Sequence, residues 1–135
     1  MSFAQSLYNR AVVVEKDVTL AATSGTAVGI PVGAGSLVLA VGFQNTDTVP
    51  DVTTYTMDIT DGTTVFANDI SFDNTAAGSI KIGTTVGVVA ANDTIDVVTT
   101  ISGTPGVIRG RVFAVIVDVS KSKIAADEVD RDQLA

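Results

Sequence analysis

From Thr53 to Thr60 the chain alternates without a break, with Tyr55, Met57 and Ile59 on one side and Thr54, Thr56, Asp58 and Thr60 on the other. A period of two marks a half-buried β-strand, because successive side chains point to opposite faces of a sheet. Asp61-Gly62 follows at once. That dipeptide supplies the positive φ of a tight hairpin turn, so Thr63–Asn68 is predicted to return antiparallel. Roughly 30% of the residues are Val or Thr, whose branched Cβ suits a pleated surface better than a helix. Further strands are predicted at Val12–Glu15, Val18–Ala21, Ala27–Pro31, Leu37–Gln44, Ser79–Ile82, Val86–Val89, Thr94–Ile101 and Val107–Val119. Turns rich in Gly, Asn, Asp and Ser separate them. The reading is all-β: a single β-sandwich or jelly-roll-like domain over residues 12–119.

The two ends differ from this body. Residues 1–11 read as a short N-terminal arm, in which Phe3 and Leu7 at i,i+4 spacing suit one or two helical turns or an extended segment. Residues 120–135 form a polar C-terminal tail, with Asp127, Glu128, Asp130, Arg131 and Asp132 around Val129 and Leu134. It reads either as disordered or as a docked arm or short helix. The start has no basic cluster leading into an apolar run, so a secretory leader is not expected. No residue between Asp17 and Asp47 is charged, but Gly25, Gly29, Pro31, Gly33, Gly35 and Gly42 interrupt the stretch. A membrane helix would not survive them, and two strands with a turn are expected instead.

Function classes fall away next. The chain has no His, no Cys and no Trp, and a formal charge of −7. Without His or Cys there is no Ser-His-Asp or Cys-His couple, no thiolate, no disulfide and no ordinary zinc or haem site. The acidic balance opposes binding to nucleic acid and to anionic membranes. Asp58, Asp61, Asp69, Asp73, Asn92, Asp93 and Asp96 offer oxygen ligands but lack the regular spacing of a calcium loop. Carboxylate pairs such as Asp58 with Asp61, or Asp93 with Asp96, lack the aromatic platforms of a glycosidase cleft. Gly33-Ala34-Gly35 lacks the third glycine and the Lys-Ser of a phosphate loop and reads as a turn. Asn92-Asp93-Thr94 matches a glycosylation acceptor, but a tight turn before a strand accounts for it better. The expectation is a protein that is not an enzyme, needs no cofactor or metal, and binds neither nucleic acid nor membrane.

The last strand carries the most information. Ile108, Val112, Ala114 and Ile116 alternate with Arg109, Arg111, Phe113, Val115, Val117 and Val119, so both faces are apolar after Arg111. In Leu37–Phe43 the same reading sets Leu37, Leu39, Val41 and Phe43 opposite Val38, Ala40 and Gly42. Two apolar faces imply cover on both sides, by the core and by either a terminal arm or another subunit, unless the strand lies deep in one thick sandwich. With a mean hydropathy of +0.42, this favours assembly, and Leu39, Val41, Phe43, Phe113, Val115 and Val117 are the expected oligomer contacts. Phe3, Leu7, Tyr8, Arg10, Arg109 and Arg111 are the expected contacts with a larger partner, the aromatic and aliphatic groups as anchors and the arginines for carboxylates.

The order of features is Ile30-Pro31-Val32-Gly33-Ala34-Gly35 before a Val/Leu strand, the Asp58–Thr64 hairpin, Ala91-Asn92-Asp93 before a strand, and Gly106 before a long Val-rich strand. In this it resembles the capsid decoration, or cement, proteins of tailed bacteriophages. The likeness covers about Val12–Val119 and transfers no functional residue. It implies a homotrimeric structural protein on the outer surface of the virion capsid. There it would stabilise the shell by clamping neighbouring major capsid protein subunits with its termini. A phage tail, baseplate or fibre β-domain shares the composition, and a carbohydrate-binding module would have Tyr8 and Tyr55 for its platform.

Overall fold

The computed structural model describes residues 11–118, which form nine strands and no helix. The strands are β1 (Val12–Leu20), β2 (Gly25–Val32), β3 (Ser36–Asn45), β4 (Thr54–Thr60), β5 (Val65–Ser71), β6 (Ile80–Gly83), β7 (Gly87–Val88), β8 (Asp93–Ser102) and β9 (Ile108–Asp118). They make two antiparallel sheets, ordered β1-β9-β3-β6 and β2-β8-β4-β5, with the two-residue β7 added beside β3. Leaving β7 aside, β1 pairs with β9, β2 with β8, β3 with β6 and β4 with β5. This is the order produced when one long hairpin is rolled into two facing sheets. The fold is a jelly roll.

The core lies between the inner faces. Tyr55, Met57 and Ile59 of β4 and Ile95 and Val97 of β8 meet Val38, Val41 and Phe43 of β3 and Ile108, Val112, Ala114 and Ile116 of β9. Phe43 and Phe72 meet edge to face, with ring centroids 5.4 Å apart and planes at 87°, the arrangement that ring quadrupoles favour. The alternation in β4 therefore points the way the sequence predicts.

Three local expectations are corrected. Val12–Glu15 and Val18–Ala21 are one strand, paired with β9 without a break from Val12↔Ile116 to Leu20↔Ile108. Glu15, Lys16 and Asp17 do not interrupt it, because β1 is an edge strand where charged side chains reach water. The hairpin after β4 turns through four residues, Asp61 to Thr64, rather than two. Asp61 Oδ1 accepts the Thr63 and Thr64 N–H groups at 2.9 and 2.6 Å, and Gly62 supplies the positive φ of 91°. In β3 the register shifts between Val38 and Ala40. This bulge at Leu39 adds one residue and exchanges the faces beyond it. Val41 and Phe43 consequently point inward, at 0% exposure, and are core residues rather than oligomer contacts.

Glycines let the β3–β9 pairing close. A Cβ on Gly110 would lie 2.2 Å from the Phe43 ring inside the sheet, and one on Gly42 would lie 2.3 Å from the Phe113 ring outside it. Each ring covers the glycine of the neighbouring strand.

Candidate functional site

The two sheets present unlike surfaces. On the outside of β4 and β8, the pairs Thr54↔Ser102, Thr56↔Thr100, Asp58↔Val98 and Thr60↔Asp96 make a largely polar face. The outside of β1-β9-β3-β6 is built otherwise. Cross-strand partners share a face, so the register sets out its rows. Val117, Leu37 and Val88 form the first, and Val13, Val115 and Ala40 the second. Glu15, Phe113, Gly42 and Ile82 follow, then Asp17, Arg111, Gln44 and Ile80, and last Thr19 and Arg109. Apolar side chains fill the end where β1 begins and β9 finishes, and they continue along β6. Charges lie on β1 and β9, from Glu15 in the middle row to Arg109 in the last.

This face is open to solvent among the described residues. Val13 is 66% exposed, Ile82 61%, Ile80 57% and Val88 56%, while Phe113, Val115 and Val117 are half-buried. Strand β6 is the telling element. In Ser79-Ile80-Lys81-Ile82 a water-facing strand would put both isoleucines inside, yet they point out and Lys81 pairs with inward-facing Phe43. The Lys81 ammonium donates to the Ser71 carbonyl and lies 5.5 Å from the centre of the Phe72 ring, a cation–π contact that helps hold the inverted orientation.

At the charged corner the arginines are held by the chain's own carboxylates. Arg109 donates from Nε to Asp47 Oδ2 at 3.0 Å and from Nη2 to Asp47 Oδ1 at 2.9 Å. Its backbone N–H also donates to Asp47 Oδ2, at 2.9 Å. These bonds hold the Asp47 carboxyl below the usual carboxylate range and raise the Arg109 guanidinium above its own. Arg111 donates from Nε to Asp17 Oδ1 at 3.0 Å, with Glu15 Oε1 3.6 Å from Nη1, and both carboxylates raise its pKa, the Asp17 hydrogen bond most. An open hollow of about 300 Å³ lies between the two arginines, lined also by Asp17, Thr19 and Thr46. Both arginines there are already paired within the chain, two guanidiniums against three carboxylates.

The structure thus brings Phe113, Val115 and Val117 together on one face, with Arg109 and Arg111 continuing the same row of β9. Leu39 is the half-buried bulge residue of β3. Phe3, Leu7, Tyr8 and Arg10 lie outside the described residues, as does the whole C-terminal tail. Val13, Ile80, Ile82 and Val88 escape the sequence reading. Only the register of β1, β6 and β7 reveals them, since an isolated Ile or Val in a short strand is ordinarily assigned to the core. Tyr55 lies at 0% exposure and presents no sugar platform. Among the described residues no three carboxylates gather as a metal site.

Two solved structures share this fold. One is a chain of the cyanophage Pam1 capsid asymmetric unit, with a TM-score of 0.51 and 15% identity over 78% of this chain and 84% of that one. The other belongs to the acidic stable capsid structure of Helicobacter pylori bacteriophage KHP30, with a TM-score of 0.51 and 8% identity over 78% of this chain and 86% of that one. Coverages so alike from both sides mean chains of nearly equal length. At these identities the likeness is one of fold. No protein-family model and no curated protein matches the sequence.

Proposed function

We propose that the protein is a structural component of a tailed-phage virion. In this reading it binds the outer surface of the capsid as a homotrimer and stabilises the shell by clamping neighbouring major capsid subunits. The observation that carries the reading is the open apolar face of β1-β9-β3-β6 on a jelly roll also found among capsid chains of similar size. Single exposed apolar residues are ordinary on a protein surface, but a contiguous patch across four strands marks a contact surface. Such a role needs no reacting group. A rigid body that binds the assembled shell and not its separated subunits stabilises the shell by mass action, and several copies about an axis add avidity.

Arg109 and Arg111 then serve at the rim of the contact, where a partner's carboxylates can share guanidiniums already paired within the subunit. The chain lacks cysteine, so a gold label on Val28→Cys, exposed on the opposite sheet, marks it uniquely. Electron images of virions carrying the labelled chain should place gold over the head exterior. Gold on the tail, baseplate or fibres would replace this reading with a tail-borne one, and unlabelled virions would remove the virion role.

A further inference from the structure

The open sheet face lies beside a chain segment of matching chemistry. Val12 pairs with Ile116 and β9 runs to Asp118, so residues 1–10 and 119–135 both leave the body at the apolar end of the face. The two segments differ in what they could bury. Residues 119–135 carry Lys121, Lys123, Asp127, Glu128, Asp130, Arg131 and Asp132, whose charges would have to be stripped of water on a dry face. Residues 1–10 carry one charged side chain, Arg10, next to the body, and place Phe3, Ala4, Leu7 and Tyr8 further out. Phe3 and Leu7, four apart, fall on one side whether the segment is extended or helical.

Reach is sufficient. Ten residues span up to about 33–36 Å, whereas the four strands of this face are about 15 Å across. Covering its own face would oblige the chain to reverse at Arg10-Ala11, over Val13, immediately before a β1 that is paired from its first residue. Covering the face of another copy demands no reversal. A head-to-tail contact of arm on face also closes a ring about a rotation axis without needing a self-complementary patch. We infer that residues 1–10 of each copy lie across the outer β1-β9-β3-β6 face of a second copy, with Phe3 and Leu7 against the apolar ground formed by Phe113, Val115 and Ile82. This names the occupant of the face within the proposed oligomer and rests on that assembly, not on where in a virion it sits.

Paired cysteines test it on the free protein. Leu7→Cys and Ile82→Cys chains, co-expressed as separate single variants and oxidised, should give disulfide-linked dimers. Leu7→Cys with Val28→Cys, on the opposite sheet, should give none. A double variant that cross-links only within one chain would assign the face to the copy's own arm, and failure to cross-link at all would empty it of the arm. Deleting residues 1–10 provides a second reading, by sedimentation. The oligomer should dissociate at concentrations at least about tenfold higher than for the full chain, the loss expected of apolar anchors. Unchanged association would overturn the inference, as would a full-length chain that is monomeric. Image labelling addresses the virion role separately, so either conclusion can fail alone.

Discussion

Gly110 and Gly42 each lie under an aromatic ring of the partner strand, on opposite faces of the β3–β9 pair, yet a methyl group at each should have unequal consequences. At Gly110 it would meet Phe43, which is fully buried, and the Gln44 carbonyl oxygen at 2.6 Å. Neither can withdraw, so Gly110→Ala should cost about 1–3 kcal/mol through overpacking, read as a lower denaturation midpoint with unchanged slope. At Gly42 the neighbour is the outward Phe113 ring, which can turn toward solvent, and the loss should be clearly smaller. Tyr55 makes a second residue-scale case. Its Oη is buried with no hydrogen-bond partner among the described residues, and burial pushes the phenol pKa up to about 12. Tyr55→Phe removes an unsatisfied group, so stability at neutral pH should hold or rise by about 1 kcal/mol. The folded pKa lies above the unfolded value of about 10. Tyr55's contribution is therefore complete below that value and lost as pH rises from about 10 toward about 12. Melting curves from neutral to alkaline pH should show this loss in the parent and not in Tyr55→Phe. Asp47 works in the opposite direction: its lowered pKa gives stability present above the unfolded carboxylate value and lost as pH falls through the folded one. The stability difference between parent and Asp47→Asn should accordingly vanish in acid.

At the scale of elements, the sequence reading succeeds where one period governs a strand and fails where a backbone irregularity intervenes. Strand β4 alternates cleanly and faces as predicted, because one side is core and the other water. In β3 the inward set is Val38, Val41 and Phe43. No residue type near Leu39 announces the bulge, which shows only in the register of β3 against β9. Strand β6 misleads for a different reason. Its isoleucines face out, Ile82 in the row of Phe113 and Ile80 in that of Gln44, and a rule that sends apolar groups inward assumes that the other side is water. The outward row of β9 was readable, as was the position of Arg109 and Arg111 on it. Their partners Asp47, Asp17 and Glu15 were not, being set by a loop and an edge strand remote in sequence. Because those ion pairs are exposed, Arg111→Ala should leave the melting point of the free protein nearly unchanged. Attachment to the shell should weaken by about tenfold, the scale of a lost charge-assisted contact. Equal loss in both measurements would return Arg111 to a role within its own sheet.

At the scale of the molecule, the jelly roll joins its first strand to its last and its second to its eighth, so no contiguous piece contains both halves of the outer face. The surface exists only once the whole chain has folded, which suits a component added to an already assembled partner. A shell-stabilising role then makes a thermodynamic demand. If the protein binds the intact shell and not its separated subunits, each tenfold rise in free protein above the dissociation constant adds about 1.4 kcal/mol per occupied site. Shell melting should therefore climb with the logarithm of protein concentration and go on climbing past saturation of the sites. A protein that merely coats the surface, with equal affinity for intact and separated subunits, would give a flat response. Calorimetry of undecorated heads titrated with the full chain, with and without EDTA, separates these cases. The rise should be the same in both buffers, since contact between surfaces is the proposed source of binding. A rise abolished by the chelator would show that a metal bridges the two bodies.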